Sequence, residues 1–311
     1  VEPDMQHSPP LVLDAAAEAF VARGRRPAAA RAKRPAVLAP DVTEEWLALP
    51  GEDGQRIRVR VLRPVDAVEP LPVVLYAHTP GVDFDDPDGH RALWEDLALG
   101  ADAAVVVPEY DDPAQARHPF AAPRFHSVAR WVADQGAVWG LDGSRTAVFG
   151  ISGGARLAAA LTLLAAEREE VSFVQQVLVC PAVDAAMDTL SHREFAHGYG
   201  LSGADVAAFW HWYADPADHA DPAVSPLRAG PELLSGLPPA LVLTAEADVL
   251  RDEGEAYAAR LRAARVPVVS LRCHGTVHAF VLFQALRHSE VAAAARTHAL
   301  DTLHGALHRH G

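Results

Sequence analysis

From residue 55 onward, short apolar runs alternate with longer stretches in which apolar residues recur at helical spacing. The runs QRIRVRVLRP (55–64), LPVVLYAH (71–78), AAVVVPEY (103–110), RTAVFG (145–150), FVQQVLVC (173–180), PALVLTA (239–245) and VPVVSLRC (266–273) read as strands. The periodicity predicts helices near 90–100, 124–139, 153–167, 251–264 and 286–306. Strands that alternate with helices of this length define an α/β protein, with a mostly parallel central sheet flanked by helices on both faces. Ligands of such sheets sit beyond the carboxyl ends of the strands, so polar residues that follow strands are the first candidates for chemistry.

Two segments break the alternation. Residues 1–45 contain the amphipathic stretch PLVLDAAAEAFVARG and then the basic stretch RGRRPAAARAKRP (23–35). The basic stretch reads as a solvated helix end or linker, with a docking patch as the alternative. Residues 185–230 are rich in Asp, Ala and aromatic residues. Both segments read as additions to the core that together form a lid. Phe209, Trp210, Trp212 and Tyr213 cluster within one and a half helical turns of the second. Packing is the ordinary role of such a stripe; its position between two candidate catalytic blocks makes Phe209, Trp210 and Tyr213 candidates for a substrate pocket.

Composition narrows the function. The 311 residues are half apolar and carry 27 basic against 41 acidic side chains, a formal charge of −14. That balance argues against nucleic acid or an anionic membrane as the main partner. No apolar run approaches the roughly 18 residues of a membrane span. The opening VEPDMQHSPP is polar and proline-rich and shows no signal peptide, so a cytoplasmic protein is expected. Cys180 and Cys273 each end an apolar run and read as buried thiols; two cysteines exclude a disulfide framework. His274 and His278 lack a third ligand at recognisable spacing, and neither a zinc pattern nor a phosphate-binding loop stands out, so no metal or cofactor is expected.

The strongest local signal is VFGISGGARLAAAL (148–161), in which Gly150, Ile151, Ser152, Gly153 and Gly154 form G-x-S-x-G between a strand and an alanine-rich helix. This frame fits a nucleophile elbow, where a serine sits on a strained turn and flanking glycines permit close backbone approach. The helix N-terminus then offers N–H groups to a developing oxyanion. A glycine-rich turn with a serine cap is the alternative. A serine nucleophile needs a base, and the base an orienting acid. Asp248 follows one strand and His278 the next, giving the chain order Ser152, Asp248, His278 of an α/β-hydrolase. Glu246 and Asp252 are competing acids, as a loop tie and a helix cap respectively in their ordinary roles. His274 is the competing base, though it lies nearer the strand end.

Several blocks resemble the hormone-sensitive-lipase-like branch of the α/β-hydrolases, the bacterial carboxylesterases with a cap. FGISGGARLAAAL is similar to the family's G-D-S-A-G-G-N-L-A block, PPALVLTAEADVLRDEGEAYAARLRAARVPV (238–268) to its acid loop and helix, and HGTVHAF to its G-x-x-H-x-F ending. PFAAPRFHSVARWVADQGAVWGLDGSRTAVFG (119–150) and ADPAVSPLRAG (220–230) also track it. The resemblance runs from about residue 45 to the end of the chain. It implies an α/β-hydrolase fold with Ser152 as nucleophile, His278 as base and Asp248 as acid, acting on small-molecule esters through an acyl-enzyme without a cofactor. It also implies a division into an N-terminal cap segment (1–45), core (46–184), cap insertion (185–230) and core (231–311). An exposed sheet edge or the C-terminal helix would support a homodimer.

The chain departs from the family where H-G-G-G becomes His78, Thr79, Pro80 and Gly81. The family's second and third glycines supply backbone donors to the oxyanion, and the residue after the nucleophile, here Gly153, supplies another. Pro80 has no N–H, which leaves Gly81 and Gly153; loss of one donor typically costs about a hundred- to a thousandfold in turnover. The Thr79 hydroxyl is a candidate replacement, and His78 and Pro80 are expected to border the substrate pocket. Ile151 stands where the family has Asp, and VPEYDDPAQA (107–116) replaces D-Y-R-L-A-P-E. Asp83, Asp85, Asp86 and Asp88 follow the altered turn, either as a solvated loop or as an acidic rim. The expected function is ester hydrolysis with an altered oxyanion hole. The alternatives are a non-hydrolytic enzyme on the same scaffold (dehydratase, cyclase or acyl transferase) and a binding protein.

Overall fold

The computed structural model describes residues 11–24, 39–51, 54, 56–68, 70–79 and 86–309. In chain order the elements are α1 (Ala15–Arg23), β1 (Val42–Pro50), β2 (Arg56–Pro64), β3 (Leu71–Ala77), α2 (Pro87–Ala101), β4 (Ala104–Pro108), α3 (Ala121–Gln135), β5 (Leu141–Ile151), α4 (Gly153–Arg168) and β6 (Gln175–Val179). They continue with α5 (Leu190–Glu194), α6 (Gly203–Tyr213), α7 (Pro231–Leu234), β7 (Ala240–Ala247), α8 (Arg251–Ala263), β8 (Val268–Val277) and α9 (Glu290–Leu307). Among the described residues, eight strands form one sheet in the order β1-β2-β4-β3-β5-β6-β7-β8. Strands β4 through β8 run parallel, and β1 and β2 close one edge antiparallel. This is an α/β-hydrolase fold.

Strands β3, β4 and β6 are buried along their whole length, because helices cover both faces of a parallel sheet. The period of two sends alternate residues into two cores. Val74, Tyr76, Phe149, Val177 and Leu243 meet Leu93 and Leu97 of α2 and Leu303 of α9 on one side. Val73, Leu75, Val148, Leu178 and Val242 meet Phe125 of α3, Leu157 of α4 and Leu261 of α8 on the other.

Strand β1 is the strand that periodicity missed. Its sequence VTEEWLALP puts two glutamates side by side, and their partners lie on β2: Arg60 bonds Glu44 at 3.0 Å and stacks on Trp46, its guanidinium carbon 4.4 Å from the ring. A half-exposed edge strand held by ion pairs carries no apolar run to detect. The expected boundary at residue 45 falls inside it. The 124–139 helix divides into α3 and a single 3₁₀ turn, Gly136–Trp139.

The insert between β6 and β7 contains α5, α6 and two 3₁₀ turns at Pro216–Asp218 and Pro226–Arg228. Helix α1 packs near β8: the Asp14 N–H donates to the Gly275 carbonyl at 2.7 Å, and Phe20 meets Phe283 at 5.0 Å between centroids. Most of the basic stretch, residues 25–35, lies outside the described residues. Strand β8 is the free edge of the sheet, with Val269 and Leu271 exposed. No helix among the described residues is long and apolar enough to cross a membrane.

Candidate active site

Strand β5 runs straight into α4, and Ser152 forms the corner with φ 55° and ψ −122°. A non-glycine residue in that region stores about 1–3 kcal/mol of backbone strain. The glycines explain how the corner is reached. A Cβ on Gly150 would collide with the backbone of Gly154 and Ala155, and one on Gly154 with the Ala77 carbonyl at the end of β3. The Ser152 side chain makes no capping bond to α4, which rules out the serine-cap alternative. Its Oγ instead lies 3.0 Å from His278 Nε2.

His278 leaves the end of β8 and Asp248 the end of β7, so adjacent parallel strands bring them together. His278 Nδ1 is 2.8 Å from Asp248 Oδ2, and the Leu250 N–H donates to Asp248 Oδ1 at 3.0 Å. With an acidic acceptor on Nδ1, the imidazole carries its proton there and leaves Nε2 to accept from the Ser152 hydroxyl. Asp248 is 1% and His278 2% exposed, so little solvent screens the pair. Such a chain of hydroxyl, imidazole and carboxylate can activate an alcohol oxygen and return its proton to a leaving group.

The competitors are occupied elsewhere. Glu246 accepts from the Gly275 N–H at 2.7 Å and pairs with His274 at 3.0 Å, a loop tie that holds its carboxyl below the ordinary value despite partial burial. Asp252 does not cap its own helix: it accepts from the Ser191 N–H at 2.8 Å and from Arg251 Nε at 2.9 Å. Ser191 Oγ also donates to the Val249 carbonyl at 2.8 Å, so α5 braces the loop that carries Asp248. Cys180 lies behind the pair, its sulfur and the ligand atoms of Asp248 and His278 all within 4.8 Å of one another. Burial first, and then the charge of Asp248, push its thiol well above the usual range.

A cavity of about 70 Å³ opens over Ser152. Its wall includes His78, Thr79, His90, Ile151, Gly153 and Ala279, and the insert closes it with Leu201, Asp205, Val206 and Phe209. Phe209 thus reaches the cavity, whereas Trp210 and Tyr213 do not line it. Both are buried behind Phe209, with Tyr213 stacked on it at 5.7 Å and Trp210 edge-on at 5.1 Å. The difference is one of helix face: only one side of α6 looks toward Ser152. Tyr213 also receives Arg156, a fully buried cation whose Cζ lies 3.8 Å from the ring centroid and whose Nη1 donates to the Ala223 carbonyl at 3.1 Å.

His78 braces the end of β3. Its Nε2 donates to the Pro108 carbonyl at 2.8 Å, and its own carbonyl accepts from the Tyr110 hydroxyl at 3.0 Å. The VPEYDDPAQA block therefore serves as scaffold, with Glu109 on Arg60 at 2.8 Å and Asp111 on Arg58 at 2.9 Å. Burial, aided by His78, holds His90 down to about 3, so this wall residue is neutral at physiological pH. Its Nδ1 meets the Tyr76 hydroxyl at 2.7 Å. Periodicity gave no sign that His90, Leu201, Asp205, Val206, Leu250 or Leu282 would border the cavity. Pro80, Gly81, Asp83 and Asp85 lie outside the described residues. Asp86 is not part of a solvated rim: it is buried and caps α2, accepting from the Gly89 N–H at 3.2 Å.

Known proteins share this fold. The family model described as alpha/beta hydrolase fold matches residues 74–282. The chain is 35% identical over 302 residues to carboxylesterase NlhH of Mycobacterium tuberculosis, covering 96% of this chain and 93% of that one. It is 35% identical over 246 residues to an ethyl acetate hydrolase of Pseudomonas putida, covering 78% and 76%. Among solved structures, a thermostable esterase from Pseudomonas putida ECU1011 superimposes with a TM-score of 0.89 at 33% identity, over 97% of this chain and 100% of the other. The chain belongs to the α/β-hydrolase family. Within it, the protein is an esterase-like hydrolase of the hormone-sensitive-lipase-like branch.

Proposed function

We propose that this protein hydrolyses small carboxylic esters through an acyl-enzyme, with Ser152 as nucleophile, His278 as general base and acid, and Asp248 as the orienting carboxylate. The observation that carries this reading is the unbroken hydrogen-bonded chain from buried Asp248 through His278 to Ser152, at 2.8 and 3.0 Å. Ser152 Oγ attacks the ester carbonyl as His278 Nε2 takes its proton. The carbonyl oxygen gains the electron pair and accepts from the Gly153 N–H at the start of α4; Gly81 is the further backbone donor that the sequence offers. The alcohol leaves with the proton from His278, and water, activated by the same imidazole, releases the acid. The insert 185–230 and the segment before β1 act as the cap; Leu201, Val206 and Phe209 on the cavity wall support that role for the insert. The cavity of about 70 Å³ supports a short acyl chain; it is less than half the ~150 Å³ of a cavity that admits benzene.

A fluorophosphonate probe is expected to label Ser152, and short p-nitrophenyl esters to give a burst followed by turnover. Purified protein that shows neither labelling nor turnover on C2–C8 esters overturns the reading. Pro80 in place of the family's second glycine favours one second reading, acyl transfer to an acceptor other than water. Competition between water and added alcohol for the acyl group, read as ester against acid product, separates the two.

A further inference from the structure

One hydroxyl in the cavity has no partner among the described residues. Thr79 Oγ1 is shielded from solvent and makes no hydrogen bond among the described residues, yet Thr79 shares the cavity wall with Ser152, Gly153 and His278. Burying an unpaired hydroxyl is unfavourable, and native folds rarely leave one without a use. Its position is specific. Oγ1 stands 3.3 Å from the point that a Cβ on Gly153 would occupy, and the Phe209 ring stands 3.0 Å from the same point. The hydroxyl therefore lies against the first residue of α4, the one that follows Ser152 in the chain.

The approach is held from both ends. The close packing of Gly154 on the Ala77 carbonyl clamps the end of β3 to the first turn of α4. Pro108 and Tyr110 hold the ring and the carbonyl of His78 from outside. Thr79 follows directly, so its side chain is presented by a braced turn. In this chain the next residue, Pro80, has no N–H to give.

We propose that the Thr79 hydroxyl is a catalytic oxyanion donor, supplied by a side chain where the family uses a glycine backbone N–H. This rests on Ser152 being the nucleophile. As the Ser152 Oγ–carbon bond forms, the carbonyl π pair moves onto oxygen, and that oxygen accepts from Gly153 N–H and Thr79 Oγ1–H together. Thr79 keeps its proton throughout: the Ser152 proton goes to His278 and then to the leaving alcohol as the carbon–alcohol oxygen bond breaks. The donor has no protein partner among the described residues to give up and gains one as charge develops, which favours the transition state over the ground state.

The test compares Thr79→Val, which keeps the shape and loses the donor, with Thr79→Ser, which keeps the donor. Thr79→Val is expected to lower kcat on p-nitrophenyl acetate by about a hundred- to a thousandfold with KM changed less than about threefold. Thr79→Ser is expected to stay within about tenfold of the native kcat. Affinity for a trifluoromethyl ketone, which forms a tetrahedral adduct on the serine, is expected to fall in Thr79→Val in step with kcat. A Thr79→Val enzyme within threefold of native in kcat overturns the proposal, as does a folded Thr79→Ser enzyme that is as impaired as Thr79→Val. Should Thr79→Val not fold, by circular dichroism, Thr79→Ala takes its place in the comparison. Native protein whose Ser152 resists fluorophosphonate overturns the nucleophile assignment itself; native labelling with an unaffected Thr79→Val enzyme overturns only the hydroxyl's role.

Discussion

Gly150, Gly153 and Gly154 look equivalent in the sequence and are not equivalent in space. A Cβ on Gly150 or Gly154 would meet backbone, which cannot move aside, whereas one on Gly153 meets side-chain atoms of Phe209 at 3.0 and 3.2 Å. Gly154→Ala is accordingly expected to destabilise the fold by about 3 kcal/mol or more, measured by denaturant unfolding. Gly153→Ala is expected to lower esterase activity with a smaller loss of stability, and Phe209→Leu in the same chain to restore part of the activity by opening the space. Single residues also test the proposed acid and base. Asp248→Asn would offer an N–H or a carbonyl to His278 and disturb its tautomer, so a fall in kcat of about ten-thousandfold is expected with the fold intact. His274→Ala, which breaks only the pair with Glu246, is expected to leave kcat within about threefold; a larger fall would count against His278 as the base.

Helix α6 shows what an element contributes beyond its residues. Its aromatic stripe was legible, but periodicity could not say which face would look at Ser152. The answer depends on Arg156, one turn into α4, which holds the insert by the Tyr213 ring and the Ala223 carbonyl. Arg156→Met is expected to loosen this attachment. KM should rise several-fold while kcat changes less than twofold, and hydrogen exchange should quicken across residues 203–224; unchanged exchange there would remove the latch role. The strands and helices of the parallel core were readable because burial on both faces leaves continuous apolar runs. Strand β1 was not, because its stability comes from pairing with β2 and from Glu44 and Trp46 meeting Arg60. Those contacts exist only after the chain has folded.

For the whole molecule, one buried acid links stability to pH. Glu253 is fully buried beside the insert, accepting from the Val183 N–H at 2.7 Å, and burial raises its carboxyl well above the ordinary 4.5. An acid raised by folding contributes fully below its ordinary value, and that contribution is lost as pH rises toward the folded value. Glu253→Gln keeps an acceptor for Val183 and cannot ionise. Its melting temperature relative to the native protein is therefore expected to rise between pH 5 and pH 8; a difference independent of pH would mean that Glu253 does not titrate abnormally.

The sequence by itself determined the class of fold, the strand–turn–helix corner at Ser152, and the order in which Ser152, Asp248 and His278 follow their strands. These are short-range matters: glycine spacing permits the corner, and apolar period and length decide strand or helix. The tertiary structure decided which of two neighbouring acids and two histidines meet, since Glu246 and Asp248 differ by two residues but leave β7 into different surroundings. It also separated Phe209 from Trp210 and Tyr213, brought His90 and Asp205 to the wall, and turned a threonine after a strand into a buried hydroxyl beside Gly153. Each of these depends on how two distant elements pack, and no local pattern carries that information.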